Sequence, residues 1–254
     1  MSLPSHVAAV AAEQAGTIVA VPVSEGDIVK EGQILFRLSS ELQQLRVDRL
    51  MALTQSDLSV RRALAAFKHS ARLKDRLEQL SRKQITSDAE VQDRELETML
   101  ASLKYEQSRL DQTLMQNELA QAKVLLEQRT VHSPISGVVT QQHKTRGETT
   151  EKLVPVIEVS QLDPLWVEFE CPVADKDKFT PGVAVDLRPA ARPTDVRRGK
   201  VVYASMRANP SSHTFRVRIA TPNQGHTWKA GLKMWVELPT TGEAPELPPK
   251  PAPK

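Results

Sequence analysis

A long stretch without glycine or proline is the strongest constraint on how this chain folds. Neither residue occurs between Gln33 and Gln128, although the chain holds 10 glycines and 17 prolines. Both residue types interrupt helices, so their absence over this length favours continuous helix. The segments on either side contain Gly, Pro and short β-branched runs, which are typical of strands. The sequence therefore predicts an α+β chain with a long helical segment inserted between two β segments.

Apolar residues recur at heptad spacing in both halves of this stretch. The first half carries Val60, Leu64, Phe67, Ala71, Leu77 and Leu80. The second half carries Leu96, Leu100, Leu103, Gln107, Leu110 and Leu114. Steps of three and four residues are typical of helices that pack along a coiled-coil seam. We therefore predict an antiparallel α-helical coiled-coil hairpin over residues 39–129, with these two sets as its seam.

The turn of this hairpin is expected near residues 84–88. Ser87 is followed three residues later by Glu90, which is the capping-box pattern that begins a helix. One arm should then run from about Ser40 to Lys83, and the other from about Asp88 to Gln128. Such a rod is too narrow to enclose a substrate pocket. One alternative is therefore a solvated spacer that only holds two bodies apart.

The two β segments beside the hairpin share an internal repeat with an offset of 121 positions. The matched positions are Gly16 with Gly137, Gly26 with Gly147, and residues 35–38 with residues 156–159. Each half holds too few strands to bury a core alone. We therefore predict that residues 10–38 and 130–160 pack face to face as one small β-sandwich.

The remaining sequence is again strand-like up to residue 238. Five short strands are predicted, over Leu165–Cys171, Val183–Leu187, Gly199–Tyr203, Phe215–Ile219 and Met234–Leu238. Short strands at this spacing favour a small β-barrel over residues 161–238. Residues 239–254 are rich in proline and are expected to be disordered or extended.

The order of these motifs resembles a known family. Glu25–Leu35 carries the pattern EGDxVxxGQxL, and Val131–Val139 reads VHSPISGVV after the helical insert. Together they resemble the split biotinyl/lipoyl-like domain of periplasmic adaptor proteins, also called membrane fusion proteins of the HlyD type. The later runs PLWVEFECPVAD, RGKV and SHTFRVRIATPN extend the resemblance, which covers residues from about Val10 to Leu238. It implies an elongated multidomain chain of β-barrel, split lipoyl-like sandwich and helical hairpin.

This resemblance also implies a function. Such adaptors link an inner-membrane transporter to an outer-membrane channel and form a sealed conduit that exports drugs or other small molecules. They assemble as homo-oligomers, hexamers in the assembled state, in the periplasm at the inner membrane. No signal or anchor is recognised in this chain, so membrane association would come through partners or a removed anchor. A type I secretion adaptor that works with an ATP-driven transporter is the alternative.

The hairpin tip carries the candidate site. Arg76, Leu80 and Ser87 match the Arg-Leu-Ser motif by which adaptors of tripartite pumps dock onto the helical end of an outer-membrane channel. Arginine donates forked hydrogen bonds to carbonyls or carboxylates, leucine fills a groove between helices, and serine bonds at close approach. The alternative makes Arg76 a solvated charge, Leu80 a seam residue and Ser87 a helix N-cap.

Composition and motifs argue against several other classes. The 34 Lys and Arg are interspersed with 31 Asp and Glu, so nucleic acid is not an expected partner. No apolar run is long enough for a membrane-spanning helix. A biotin or lipoyl carrier would present its modified lysine at the turn that the hairpin replaces, whereas Lys30 and Lys144 lie elsewhere. The histidines are scattered, Cys171 is single, and nucleophile and phosphate-binding motifs are missing. We therefore predict no cofactor, no metal site and no enzymatic activity.

Overall fold

The computed structural model describes residues 1–82 and 87–238. Within them the chain has a mixed α/β architecture and divides into two compact units. One unit, here the β unit, combines Met1–Arg37 with the chain from Val131 onward, and the other, the helical unit, is Leu38–Thr130. The predicted tail over residues 239–254 and most of the predicted turn, residues 83–86, lie outside the described residues.

Most of the regular structure outside the helical unit is β-strand. The described strands are β1 Ser2–Ala11, β2 Gly16–Ala20, β3 Ile28–Val29, β4 Ile34–Leu38, β5 Thr130–His132, β6 Gly137–Gln142, β7 Thr149–Thr150, β8 Pro155–Pro172, β9 Ala184–Pro189, β10 Arg197–Asn209, β11 Thr214–Thr221 and β12 Met234–Glu237. Short 3₁₀ turns cover Val173–Lys178 and Gln224–His226. The five strands predicted after residue 161 are all present, and the first of them belongs to the longer strand β8.

The strands form two sheets. One has eight strands, in the order β12-β9-β10-β11-β8-β6-β3 with β1 also paired to β8, and the other has four, in the order β5-β4-β2-β7. Along one edge of β8, the first half of the strand pairs with β6 and the second half with β11. Strand β1 pairs antiparallel along the other edge of β8. The predicted sandwich begins at residue 10, whereas β1 begins at Ser2, so most of this strand was not predicted. Ser2 and Ser5 are polar, so this segment lacks the apolar pattern of a buried strand. Both are nevertheless buried, and their hydroxyls donate to the carbonyls of Lys229 and Gln161, respectively.

The internal repeat is visible in the strand pairing. Strands β2, β3 and β4 reappear as β6, β7 and β8, and the pairing is exchanged between the halves. Gly16 lies opposite Thr150, and Val29 lies opposite Gly137, which is the same pair shifted by 121 positions. Each half therefore completes the sheet of the other, because its own strands are too short to form one alone.

A buried cluster lies beneath strands β8 to β11. Its members are Leu165, Val167, Cys171, Val185, Leu187, Val201, Phe215, Val217, Ile219 and Trp228. The indole N–H of Trp228 donates to Asp195 at 2.6 Å, and the Arg197 guanidinium lies 4.3 Å from the centre of its ring. Fully buried Asn223 holds the backbone around Trp228, since its side chain bonds both the N–H and the carbonyl of Trp228. The large aromatic group is thereby fixed by polar contacts as well as by packing.

The thiol of Cys171 gives a direct check on this cluster. It is 2% exposed, and burial, assisted by the charge of Asp175, raises the pKa of the thiol. The thiolate is the reactive form, so a smaller fraction of the Cys171 side chain is reactive in the folded protein at a given pH. We expect labelling by a thiol reagent at pH 8 to be on the order of 100-fold slower in the native protein than in urea. Native labelling at the unfolded rate would contradict this burial.

The helical unit consists of three helices, α1 Glu41–Thr54, α2 Leu58–Ser81 and α3 Asp88–Glu127. Helices α2 and α3 run antiparallel and are called the helical pair below. The Ser70 hydroxyl lies 3.1 Å from that of Thr98, and the rings of Phe67 and Tyr105 stack with centroids 6.4 Å apart. Helix α1 packs on the last turns of α3 through a small cluster of Val47, Leu50 and Ala122.

The prediction of one continuous arm over Ser40–Lys83 is wrong. The helix ends at Thr54 and begins again at Leu58. The Thr54 hydroxyl donates to the carbonyl of Leu50 at 3.0 Å, and such back-bonding bends or weakens a helix. The next residues include Ser56 and Asp57, which are weak helix formers. Asp57 instead precedes α2 and pairs with Arg61 of its first turn at 2.6 Å.

The predicted seam of α3 lies on the wrong face. Its five leucines, Leu96, Leu100, Leu103, Leu110 and Leu114, are between 48% and 58% exposed. The positions that turn inward are Val91, Thr98, Ala101, Tyr105, Ser108 and Ala122, which also follow heptad spacing. They are two residues out of phase with the leucines, which is a rotation of about 200° around the helix. Small and hydroxyl side chains of α3 let α2 approach closely. On α2, by contrast, all six residues of the predicted seam are partly buried.

Candidate docking site at the end of the helical pair

The three predicted docking residues lie at one end of the helical unit. Arg76 and Leu80 belong to the last two turns of α2, and Ser87 immediately precedes α3. The Ser81 hydroxyl donates to the Asp88 carboxylate at 3.4 Å, so the end of α2 lies beside the start of α3. The structure therefore brings the three residues to the same end of the helical pair.

Arg76 and Leu80 are four residues apart on α2 and so occupy adjacent turns of one side. Arg76 is exposed and Leu80 is half-buried. Among residues 1–82 and 87–238, no ion pair involves Arg76. Its neighbour Lys74 is held by Glu78 at 3.3 Å and Glu95 at 3.4 Å, and these hydrogen bonds raise the pKa of the lysine. Of these two cations, Lys74 joins the two helices, whereas Arg76 presents its guanidinium to solvent.

Ser87 has an identified local role. Its backbone is extended, and its hydroxyl oxygen accepts the N–H of Ala89 at 3.3 Å. The predicted helix start is confirmed, and the capping role considered for Ser87 is present in the structure. The same hydroxyl still carries a proton, so it can donate one hydrogen bond outward while it caps α3.

Within residues 1–82 and 87–238, no group of three or more His, Cys, Asp or Glu side chains could hold a metal ion. In the same ranges, no helix combines the length and the apolar character needed to cross a membrane.

Two family models match the chain. The model of the CzcB-like barrel-sandwich hybrid domain matches residues 6–161, which is more than half of the sequence. The chain belongs to this family. The model of the CusB-like β-barrel domain matches residues 164–242. These matches confirm the predicted resemblance to membrane fusion proteins.

Individual proteins agree with the family models. The cation efflux system protein CzcB from Alcaligenes sp. (strain CT14) is 24% identical over 226 residues, which cover 88% of this chain and 41% of that protein. The chain thus spans about two fifths of the length of this curated relative. MacA from Actinobacillus actinomycetemcomitans has a TM-score of 0.79 at 19% identity and covers 93% of this chain and 74% of its own. The membrane fusion protein Spr0693 from Streptococcus pneumoniae R6 has a TM-score of 0.62 at 18% identity, covering 93% and 97%. The two structures show a shared fold.

Proposed function

We propose that the protein is a periplasmic adaptor that joins an inner-membrane transporter to an outer-membrane channel in a tripartite efflux system. The supporting observation is the combination of CzcB-like and CusB-like β domains with an inserted antiparallel helical pair that carries Arg76, Leu80 and Ser87 at one end. The name of the CzcB relative states cation efflux. We therefore propose metal cations, besides drugs and other small molecules, as candidate substrates for export.

The proposed domains follow from the same observations. The helical unit forms the coiled-coil hairpin, residues 10–38 with 130–160 form the lipoyl-like sandwich, and residues 161–238 form the barrel. Closure of the barrel is supported by Ser2 of β1. Its N–H donates to the carbonyl of Leu232 at 2.9 Å, and its carbonyl accepts the N–H of Gly231 at 2.8 Å. Strand β1 thereby connects β8 to the segment that leads into β12, and we propose that β1 completes the barrel wall.

The end of the hairpin is the proposed contact with the outer-membrane channel. The exposed guanidinium of Arg76 can donate two parallel hydrogen bonds to carbonyl or carboxylate oxygens at a helix end of the channel. Leu80, half-buried one turn away, supplies an apolar side chain for a groove between channel helices. Ser87 donates its remaining hydroxyl proton. The adaptor performs no chemistry of its own in this proposal.

The conduit requires several copies of the chain. One helical hairpin encloses no passage, so we propose that copies pack side by side into a tube, with six in the assembled state. The tube would stand in the periplasm at the inner membrane, with the barrel end at the transporter. A closed ring is the form that side-by-side packing of identical chains takes when the rotation between neighbours closes.

The first test measures binding of the purified chain to the detergent-solubilised outer-membrane channel of its own source. We expect Arg76→Glu to weaken binding at least tenfold, because it replaces a charge-assisted donor by a repelling carboxylate. Lys68→Glu is the matched control, since Lys68 is exposed on the same helix about two turns away from Arg76.

The outcomes of this test separate the alternatives. Loss of binding in Arg76→Glu with normal binding in Lys68→Glu supports docking at the hairpin end. Equal binding of all three proteins would make Arg76 a solvated charge and would move the docking site elsewhere. A wild-type chain that does not bind the channel would overturn the proposed function.

A further inference from the structure

The outward face of α3 carries an apolar seam without a partner among the described residues. Leu96, Leu100, Leu103, Leu110 and Leu114, here named the leucine stripe, keep heptad spacing and are about half exposed. Single exposed leucines are ordinary on protein surfaces, whereas a run of five at heptad spacing is typical of a helix that packs against another helix. The stripe faces away from α2, which occupies the opposite side of α3.

Acidic side chains border the leucine stripe. Glu97, Glu106, Asp111 and Glu118 are all exposed at the positions beside it, together with Lys104. Over its whole length, α3 carries nine Asp and Glu against four Lys and Arg. A helix that covers this stripe should therefore present positive charge at its borders.

The outward face of α2 has the opposite character. The positions that turn away from α3 before the docking end are Arg62, Ala65, His69 and Arg72, and all four are exposed. We name them the basic face. Helix α2 as a whole carries six Lys and Arg against two Asp and Glu. Arginine stems can lie along apolar surface while the guanidinium groups reach charged neighbours, so this face can cover leucines.

The two faces match in height as well as in charge. Across the helical pair, Ser70 lies beside Thr98 and Phe67 beside Tyr105. Because the helices are antiparallel, a residue of α2 and a residue of α3 at the same position along the pair have numbers that add up to about 168 to 172. By this register, three outward positions of α2 share a level with three of α3. The matched positions are Arg62 with Glu106, Ala65 with Leu103, and Arg72 with Glu97. Copies standing side by side at equal height would therefore bring opposite charges together.

We infer that the leucine stripe of α3 packs against the basic face of α2 in a second copy of this chain. This inference rests on the proposed side-by-side assembly and assigns its contact surface within the helical unit. The two faces lie on opposite sides of the helical pair, so every copy offers one face to each neighbour. Such a head-to-tail contact can continue from copy to copy until a ring closes.

A symmetric contact between two leucine stripes fits the charges less well. If two α3 helices packed in the same direction, Glu106 of one copy would border Asp111 of the other. Like charges at these positions oppose association. The head-to-tail arrangement instead places Arg62 and Arg72 at these acidic borders.

Disulfide trapping tests the arrangement. The variant Ala65→Cys/Leu103→Cys, in a Cys171→Ala background, carries two thiols that face away from each other within one copy and so cannot pair there. We expect mild oxidation of the purified chain at high concentration to give a ladder of dimer, trimer and larger species. Leu103→Cys alone should give on the order of tenfold less crosslinked product. Absence of the ladder, or efficient dimerisation of Leu103→Cys alone, would overturn the inference.

Charge reversal provides a second readout that does not depend on cysteine geometry. Glu106→Arg should raise the dissociation constant for self-association about tenfold, and the double variant Glu106→Arg/Arg62→Glu should restore most of it. Lys123→Glu reverses an exposed charge on the same helix outside both faces and should change little. Circular dichroism and Tm check that each variant folds. Failure of the double variant to recover association would count against the Arg62–Glu106 contact.

These measurements are independent of channel docking. A wild-type chain that binds the channel but gives no ladder overturns the inference and leaves the proposed function standing. A ladder from a chain that does not bind the channel overturns the proposed function and leaves the contact between copies standing. Arg76, the residue changed in the docking test, is not part of the basic face and is unchanged in the crosslinking and charge-reversal variants.

Discussion

Replacing Asn223 by alanine is expected to lower the free energy of unfolding by about 3 to 5 kcal/mol. The side chain is fully buried, and its amide donates to the carbonyls of Leu162 at 3.0 Å and Trp228 at 2.9 Å. Its oxygen accepts the backbone N–H of Trp228 at 3.0 Å. Alanine would leave these backbone groups without their bonds in a region closed to water, and unsatisfied buried groups are costly.

Urea unfolding followed by Trp fluorescence measures this change. Asn209→Ala is the matched control, because Asn209 is exposed and its side chain accepts one hydrogen bond, from the N–H of Ser211. We expect the control to lose less than about 1 kcal/mol. Similar losses in the two variants would show that the network around Trp228 does not stabilise this part of the β unit.

Gly137→Ala is expected to be nearly as damaging, with a loss of about 3 kcal/mol. A Cβ atom at this position would lie 2.4 Å from the carbonyl oxygen of Ser160 and 2.8 Å from its carbonyl carbon. Both atoms are backbone of β8, so no side-chain rotation relieves the overlap. Strand β6 would have to move away from β8, which breaks the pairing that joins Val138 to Ser160.

Gly26→Ala separates this crowding from backbone strain. Gly26 has a φ of +93°, and a Cβ there would have nothing within 4 Å. Its replacement should cost only the strain of a left-handed residue, about 1 to 2 kcal/mol. Thermal unfolding of both variants tests the ranking, and a lower Tm for Gly26→Ala than for Gly137→Ala would contradict it.

The local sequence pattern was sufficient for much of the secondary structure. The stretch without Gly or Pro marks the helical unit, and Ser87 marks the start of α3, because both signals act on the backbone of nearby residues. The repeat with its offset of 121 positions predicts matching strands in the two halves, and β2 and β6 do begin at the matched Gly16 and Gly137. These features need no knowledge of distant contacts.

Other features were decided by contacts between distant residues. Strand β1 is stabilised by pairing along β8, and its buried serines are satisfied by carbonyls far away in the sequence. Asparagine is common in turns, yet the fold surrounds Asn223 with backbone carbonyls that accept hydrogen bonds from its amide. A polar residue reveals such a role only when its partners are in place.

The helical pair shows most clearly what the sequence alone does not predict, which is the face of α3 that packs against α2. Helix α3 has two heptad sets on opposite faces, and hydrophobicity favours the leucines as the seam. The tertiary structure selects the other set, because Thr98, Ala101 and Ser108 allow close approach of α2 and because Ser70 and Phe67 find partners there. By itself the sequence determined that α3 is a long helix with apolar residues at heptad spacing. Which face meets α2, and which remains open for another copy, depended on how the two helices fit together.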